Sequence, residues 1–409
     1  MTHRVKDVTF HGLFGNRDFA VLYLAGTQSQ LGDQLARVAL SILVFSRTGS
    51  GLLTATTYAL TYLPAVAGGV LLSGLADTRP RRGLLVACDL IRAALFALMA
   101  ISSMPLAVVC VLLVIAVLVG APYNAAEPAL VADIYSGSQY QAAIGLRTAT
   151  LQAAQLIGFA GGGVVVALTG AHVALAIDAA TFAASALVLR LLLSAFPAAA
   201  SGHNSVEQMR TGVRTVAADP QLRVLLGFAW LNAFWIVPEG LAAPYAAAHG
   251  GGATAVGVLL AASPTGSLIG TVVMSRWLPD GSRSRLIGVF AFLCGLPLLA
   301  CGLGPPVWLA AVLWGTCGLF VAYLVIVIAD FVAIVAAPVR GQAIGLASSS
   351  LLAAQGVGLI LGGVLAAAGG SELAIAVAGA VGSLLAAPLA VSRHRLSRDR
   401  ARPVMARSS

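Results

Sequence analysis

Charged residues are scarce in this sequence, and lysine is almost absent. Only 10% of the 409 residues are charged, and Lys6 is the only lysine. Soluble domains carry about 25% charged residues, and disordered chains are rich in charge and poor in aliphatic residues. A phosphate-binding loop requires a Gly-Lys-Ser/Thr sequence, which this chain lacks. The composition therefore excludes a soluble domain and a disordered chain, and it argues against an ATP-driven pump.

Motifs for metal, thiol and enzymatic chemistry are also missing. The five cysteines form no C-x-x-C pair and lie in apolar stretches, where a cysteine is usually a small buried hydrophobe. The six histidines have no metal-ligand spacing. We therefore expect no metal, no cofactor and no catalytic residues, and a membrane-embedded enzyme is the less favoured alternative. No small-residue cleavage site follows a short apolar core, so we expect no cleaved signal peptide.

Long apolar runs dominate what is present. Hydrophobic residues make up 59% of the sequence, and a helix needs about 20 mostly apolar residues to cross the hydrocarbon layer of a membrane. The runs are continuous rather than alternating, which argues against a β-barrel. The sequence predicts an all-α polytopic membrane protein with twelve transmembrane helices, at residues 18–46, 52–75, 83–102, 105–127, 141–168, 172–195, 221–248, 254–278, 285–303, 306–334, 340–368 and 372–391.

The basic residues predict the orientation of these spans, because cytoplasmic loops carry an excess of Lys and Arg. With the N-terminus in the cytoplasm, 20 of the 24 basic residues lie in cytoplasmic segments, and only Arg47 lies in an outer loop. Both termini are therefore predicted to be cytoplasmic, in a bacterial plasma membrane. The net charge of +9 is explained by this topology, so no nucleic-acid partner is expected.

An internal repeat divides the chain. Residues 143–170 align without gaps to residues 343–370, with 14 identities in 28 positions. Span 5 thus repeats as span 11, which predicts two parallel six-helix bundles, the architecture of transporters with a central substrate site. The predicted parts are a cytoplasmic segment (1–17), an N-terminal bundle (18–195), a cytoplasmic linker (196–220), a C-terminal bundle (221–391) and a basic tail (392–409).

The residues after the second span carry a family resemblance. They read SGLADTRPRR from Ser73 to Arg82 and resemble the signature G-x-L-x-D-R-x-G-R-R of the major facilitator superfamily. Ser73, Thr78 and Pro80 depart from that signature. The resemblance implies a latch that closes the cytoplasmic side near the start of span 11, and a solvated loop is the alternative. The predicted latch residues, including two from span 3, are Asp77, Arg79, Arg81, Arg82, Asp89 and Arg92.

Further stretches resemble the drug-efflux branch of this superfamily, which includes macrolide and enterobactin exporters. They are NRDFAVLYLAGTQSQLGDQLARVAL in span 1, CDLIRAAL in span 3, AEPALVADI after span 4 and AHVALAIDAATFAASALVL in span 6. Two features of many proton antiporters in the superfamily are missing. Span 4 has no arginine, and Gly158 is followed by Phe159 rather than by proline.

Ionisable residues inside a membrane usually face a cavity or a partner. In span 1, Gln30, Asp33 and Arg37 share one helix face, and the last two are spaced for an i,i+4 ion pair. In span 7, Asn232, Trp235 and Glu239 repeat that spacing. A buried glutamate without a partner exchanges protons near neutral pH.

We therefore predict that Asp33, Arg37 and Glu239 bind protons or substrate. A structural ion pair in span 1 and a position of Glu239 near the outer surface are the alternatives.

The remaining candidates have lower priority. Arg147 is predicted to snorkel towards the cytoplasmic interface. Close helix packing is predicted for Gly158, Gly162, Gly163, Gly358 and Gly362. Substrate contacts are predicted for Gln30, Asn124, Gln152, Gln155, Asn232, Trp235 and Asp330.

These features together predict a monomeric secondary transporter in the lipid bilayer that exports a bulky amphiphilic small molecule in exchange for protons. An importer or uniporter of a small metabolite with the same fold is the alternative, since a fold does not set the direction of transport.

Overall fold

The structure is a computed structural model that describes residues 10–72, 74–196, 205–277 and 280–405. All regular secondary structure in these ranges is helical. A chain in lipid has to satisfy its backbone hydrogen bonds internally, and a continuous apolar run does so as a helix. The all-α prediction is therefore confirmed.

The helices follow the predicted spans, and several spans are divided into shorter helices. They are α1 (Phe10–Leu13), α2 (Arg17–Thr48), α3 (Gly51–Ala59), α4 (Leu63–Leu71), α5 (Leu75–Thr78), α6 (Arg81–Met99), α7 (Leu106–Ile134), α8 (Gly137–Thr169), α9 (Ala171–Leu192), α10 (Ser205–Ala218), α11 (Pro220–Trp230), α12 (Asn232–Trp235), α13 (Val237–Gly240), α14 (Ala242–Ala248), α15 (Ala253–Trp277), α16 (Asp280–Ala300), α17 (Val307–Val321), α18 (Tyr323–Ile334) and α19 (Arg340–Met405). Two 3₁₀ turns cover Cys301–Leu303 and Ala337–Val339.

Eight helical segments in the described ranges are long and apolar enough to cross a membrane. The last of them, Ala337–Leu396, contains two predicted spans, because Gly369 and Gly370 interrupt the helix. Gly370 has a φ of 86°, which a residue with a side chain rarely adopts. The other predicted spans are also helical, in α2, α3 with α4, and α6. The count of twelve membrane crossings stays a prediction.

The seventh predicted span is the most fragmented. It forms four short helices, α11 to α14, with breaks at Leu231, Ile236 and Leu241. Pro238 and Pro244 lie in this stretch, and proline inside a helix removes a backbone hydrogen bond. Its first helix is capped by Asp219, whose side chain accepts a hydrogen bond from the Gln221 amide at 2.7 Å. Glu239 therefore lies in a one-turn helix between two breaks.

The chain forms two compact units. Unit 1 comprises Met1–Ala39 and Ala67–Ser205, and unit 2 comprises Leu40–Val66 and Val206–Ser409. The stretch 40–66 from the first half of the sequence therefore packs in unit 2. The predicted six-helix bundles with their boundaries stay a prediction.

The core of unit 1 gathers apolar and aromatic side chains of α2, α6, α7 and α9. Near one end of this core, the Tyr135 hydroxyl donates a hydrogen bond to the Leu13 carbonyl at 2.5 Å, and Phe19 packs edge-on against the Tyr135 ring. Burial raises the pKa of Tyr135, which lies between α7 and α8. The N-terminal end of α2 is thereby fixed to the end of α7.

Glycines of the repeat lie at close helix contacts in both units. In unit 1, a Cβ added to Gly158 would lie 2.5 Å from the Gln34 Cβ, so α8 contacts α2 there. In unit 2, a Cβ added to Gly358 would lie 2.0 Å from the Ala233 carbonyl oxygen, so α19 contacts α12. Span 5 therefore packs on span 1 as span 11 packs on span 7.

The next pair of repeat glycines extends the same contacts. A Cβ added to Gly162 would lie 3.1 Å from Val38 in unit 1, and one added to Gly362 would lie 2.6 Å from Val237 in unit 2. Gly163 is buried in α8.

Candidate functional site

An ion pair joins the first and third predicted spans within unit 1. Arg92 Nη2 of α6 lies 2.6 Å from Asp33 Oδ1 of α2, and both side chains are mostly buried. The Arg92 guanidinium also lies over the Phe182 ring of α9, 3.9 Å from its centroid, where cation and ring attract each other. Arg92 is thereby fixed between three helices.

This ion pair changes two interpretations of the sequence. Asp33 was expected to pair with Arg37 on its own helix, but its ion pair is with Arg92. Arg92 was expected to act with Asp89 in the cytoplasmic latch, but its ion pair is with Asp33 of α2, and its role in the latch stays a prediction. The reason is geometric, since the Phe182 ring supports the guanidinium at the height of Asp33. Arg37 is half-buried in α2.

Two further carboxylates are completely buried in unit 1. Asp89 Oδ2 of α6 accepts a hydrogen bond from the Ser185 hydroxyl of α9 at 2.6 Å. Asp178 Oδ1 of α9 lies 3.2 Å from the Thr181 hydroxyl oxygen. The other oxygen of each carboxylate has no hydrogen-bond partner among the described residues. Asp178 was overlooked in the sequence, although it is the only acid in span 6.

A second buried ion pair joins α7 and α8. Arg147 Nη2 lies 2.8 Å from Glu127 Oε2, and Glu127 is buried. Arg147 therefore has a buried carboxylate as its partner, and its position near the cytoplasmic interface stays a prediction. A Cβ added to Gly26 of α2 would lie 3.2 Å from Glu127 Oε1, so α2 also contacts this pair.

The polar residues predicted to contact substrate from unit 1 differ in exposure. Asn124 and Gln152 are exposed, whereas Gln30 and Gln155 are half-buried. The structure therefore brings Asp33, Asp89, Asp178 and Glu127 into the interior of unit 1 but leaves Asn124 and Gln152 on its surface.

The predicted latch arginines bind within unit 1. Arg81 pairs with Asp133 and donates a hydrogen bond to the Ala129 carbonyl at 3.0 Å. Arg82 donates a hydrogen bond to the Leu193 carbonyl at 3.1 Å. These contacts fasten the start of α6 to the ends of α7 and α9.

The structure provides less information on the other residues of the predicted latch. Arg79 is exposed, and Asp77 lies in α5 with its side chain outside the described part of the structure. Ser73 also lies outside the described residues. A role of these residues in closing the cytoplasmic side stays a prediction.

In unit 2, Glu239 has a hydrogen-bond partner. The Tyr58 hydroxyl of α3 donates to Glu239 Oε2 at 3.0 Å, and both residues are buried. The sequence interpretation treated Glu239 as unpartnered, and that is wrong, because residues 40–66 pack in the same unit as α13. An added Cβ at Gly240 would lie 2.5 Å from Leu359 and 3.5 Å from Ala55, so the backbone beside Glu239 is closely packed.

The other predicted residues of span 7 lie in different surroundings. Trp235 is buried, its indole nitrogen lies 3.4 Å from the Tyr323 hydroxyl, and a Cβ added to Gly382 would lie 2.4 Å from its ring. Trp235 therefore packs in the core of unit 2, and its predicted contact with substrate stays a prediction. Asn232 is half-buried.

Asp330 forms a polar cluster with the end of α19. Its Oδ2 lies 2.5 Å from Arg393 Nη2 and accepts a hydrogen bond from the Ser284 hydroxyl at 2.9 Å. These residues line a cavity of about 260 Å³, together with Gln221 and Val224. Arg393 comes from the segment predicted to be the basic tail, so Asp330 lies at the end of unit 2 where that segment begins.

The sequence matches the family described as transmembrane secretion effector over residues 10–408. The chain belongs to this family of the major facilitator superfamily. The match covers the whole described structure, and the protein is therefore a multi-pass membrane transporter of the major facilitator type. Eight membrane-length helices in the described ranges agree with this assignment. No curated protein sequence matches the chain significantly.

Solved structures of transporters share the fold. A bacterial homologue of the human lysosomal transporter Spinster, inward-facing and occupied, has a TM-score of 0.71 at 16% identity, and the match covers 93% of this chain and 96% of that one. The nucleoside transporter NupG has a TM-score of 0.70 at 18% identity, covering 93% and 99%. A variant of the peptide transporter POT in complex with sulfate has a TM-score of 0.73 at 15% identity, covering 95% and 96%.

Proposed function

We propose that the protein exports bulky amphiphilic small molecules across the bacterial plasma membrane in exchange for protons, by alternating access. The family description as a secretion effector supports outward transport. The branch resemblance to macrolide and enterobactin exporters supports the substrate class. The protein acts as a monomer with both termini in the cytoplasm.

Buried carboxylates in the membrane helices are the observation that supports proton coupling. Asp33, Asp89 and Asp178 lie in unit 1 with one guanidinium, that of Arg92, bound to Asp33. Glu239 is buried in unit 2 against the Tyr58 hydroxyl. Charge inside a membrane is costly and is retained mostly for transport of ions or substrates. Protonation of such a carboxylate changes the relative stability of two conformations and so drives the exchange.

Within this proposal, Asp33, Arg37 and Glu239 couple protons to substrate. Their contacts differ: Asp33 forms an ion pair, whereas Glu239 accepts from a neutral hydroxyl. The contact between Tyr58 and Glu239 is a hydrogen bond from a neutral group, so protonation of Glu239 breaks no ion pair at this contact. Gln30, Gln155 and Asn232 are half-buried and contribute hydrogen bonds to substrate.

The test uses the purified protein in proteoliposomes with ethidium, a lipophilic cation, as the probe. An imposed pH gradient should drive ethidium transport in the wild type and fail to do so in Asp33→Asn and Glu239→Gln. Asp219→Asn is the matched control, because it removes a carboxylate from a helix cap where asparagine serves equally well. Ethidium uptake by the wild type that does not depend on the pH gradient would favour the uniporter alternative.

A further inference from the structure

Three carboxylates share one guanidinium in the interior of unit 1. Asp33 of α2, Asp89 of α6 and Asp178 of α9 lie around Arg92. Arg92 forms its ion pair with Asp33. Neither Asp89 nor Asp178 has an ion pair within the described ranges. Two completely buried carboxyl groups thus remain without a cation of their own.

The Asp178 carboxyl is held against the backbone of α2. A Cβ added to Gly32 would lie 2.1 Å from Asp178 Oδ1 and 2.4 Å from Thr181 Oγ1. Only glycine at position 32 leaves space for these two groups. Asp33 follows Gly32 on α2, and its carboxyl is within electrostatic range of Asp178. Asp178 Oδ2 is buried and has no hydrogen-bond partner in the described structure.

The hydrogen bond that the Asp178 carboxyl accepts is weak. The Thr181 hydroxyl has one hydrogen; its oxygen lies 2.8 Å from the Asp178 backbone carbonyl and 3.2 Å from Asp178 Oδ1. The carboxyl therefore accepts only the longer part of a shared hydrogen bond. Among the described residues, an ionised Asp178 would have neither a cation of its own nor a strong donor, which favours the protonated acid.

Asp89 differs from Asp178 in the length of its hydrogen bond. The Ser185 hydroxyl lies 2.6 Å from Asp89 Oδ2, a distance typical of a hydroxyl that donates to an ionised carboxylate, about 2.5–2.7 Å. A buried charge without such a partner is far more costly than a buried neutral acid. Of these two groups, Asp178 is the one whose surroundings fit the neutral acid.

The charged groups near Asp178 come from the helices packed around it. α2 contributes Asp33 and α6 contributes Arg92, both within electrostatic range. On α7, Glu127 lies near Asp89, and its charge is compensated by Arg147 of α8. Among the residues that the structure describes, Arg92 is the cation within electrostatic range of Asp178.

We propose that Asp178 is protonated in this state and is a proton-carrying residue that alternates with Asp33 for Arg92. When Asp33 takes up a proton, Arg92 leaves it and pairs with Asp178, which releases its proton to water. One proton enters and one leaves, and the total charge of the site stays constant. This inference rests on the proton-coupled transport proposed above.

The protonation state is tested by infrared spectroscopy of the full-length protein in lipid. A protonated buried carboxyl has a carbonyl-stretch band that shifts on exchange into D₂O. We expect the band in the wild type at neutral pH, its loss in Asp178→Asn and its retention in Asp89→Asn. The proposal is overturned if Asp178→Asn leaves the band unchanged or if the wild type has none.

Thr181→Val provides a second test should Asp178→Asn fail to fold. It keeps the shape of the side chain and removes the hydroxyl that donates to Asp178 Oδ1. A freed carboxyl has a stiffer carbonyl bond, so we expect the band to move to higher wavenumber in Thr181→Val. An unmoved band would contradict the proposed hydrogen bond.

Transport separates this inference from the proposed function. In proteoliposomes, a pH gradient should drive ethidium transport in the wild type but not in Asp178→Asn. If the pH gradient drives ethidium transport equally in the wild type and in Asp178→Asn, the role of Asp178 is overturned and proton coupling stands. If the pH gradient drives no ethidium transport in the wild type, the proposed function fails, whatever the infrared band shows.

Discussion

Arg92 donates a hydrogen bond to Asp33 across two helices at 2.6 Å, although Asp89 lies one turn away on its own helix. The Phe182 ring supports the guanidinium from a third helix. This pair links the first, third and sixth predicted spans at one point. A change in the protonation of Asp33 would therefore act on three helices together.

Removal of the Asp33 charge should destabilise unit 1. Asp33→Asn removes the carboxylate that Arg92 binds, and breaking a buried ion pair costs about 3–5 kcal/mol. The loss should be smaller here, because both side chains keep some exposure and because Asp178 is proposed to replace Asp33 as the partner of Arg92. Thermal unfolding in detergent should show a lower midpoint. Asp33→Asn with Arg92→Gln should recover part of this loss, and the absence of recovery would contradict the pairing.

Glu239 and Tyr58 should have separable roles. Glu239→Gln keeps an oxygen that accepts the Tyr58 hydrogen bond, so we expect normal stability and loss of transport driven by a pH gradient. Tyr58→Phe removes the hydrogen bond at a cost of about 1 kcal/mol and keeps the titrating carboxyl. It should lower the unfolding midpoint slightly and retain proton-driven transport. The reverse pattern would assign Glu239 a structural role only.

The glycines of the repeat should respond to alanine according to their packing. In Gly358→Ala, the new methyl group would meet the Ala233 carbonyl, and overpacking costs about 1–3 kcal/mol. Gly345→Ala is the control, since nothing lies within 4 Å of a Cβ at that position, and alanine stabilises a helix by about 0.5–1 kcal/mol over glycine. Equal unfolding midpoints for the two variants would contradict the close contact.

The pair of Glu127 and Arg147 should behave as a unit. Arg147→Met leaves a buried carboxylate uncompensated, and it should lower stability by about 3 kcal/mol or more. Arg147→Met with Glu127→Gln should be closer to the wild type, because no uncompensated charge remains. A double-mutant cycle of unfolding free energies measures the coupling, and additive losses would show that the residues act independently.

Much of the fold follows from the sequence, because apolar runs of membrane length have few alternatives to helices. The repeat also places Gly158 and Gly358 at equivalent positions, and the structure gives both a close helix neighbour. The partners of the charged residues did not follow. Spacing along one helix shows that Asp33 and Arg37 are neighbours, but it contains no information on which helix packs beside them.

Two site features illustrate this limit. Tyr58 lies in a predicted span with ordinary apolar character, and only the packing of residues 40–66 in unit 2 brings it to Glu239. Asp178 is the only acid in an alanine-rich stretch, a signal that the sequence contains. Its meaning depends on Gly32 and Arg92, which lie about 150 and 90 residues away in the chain.

Proton movement upon substrate addition tests the central claim most directly. Proteoliposomes that contain the purified protein and an internal pH-sensitive dye are mixed with ethidium in the absence of any gradient. Exchange transport predicts that ethidium entry expels protons, so the interior becomes more alkaline with the wild type and much less so with Glu239→Gln. Ethidium entry without any change of internal pH in the wild type would contradict the account.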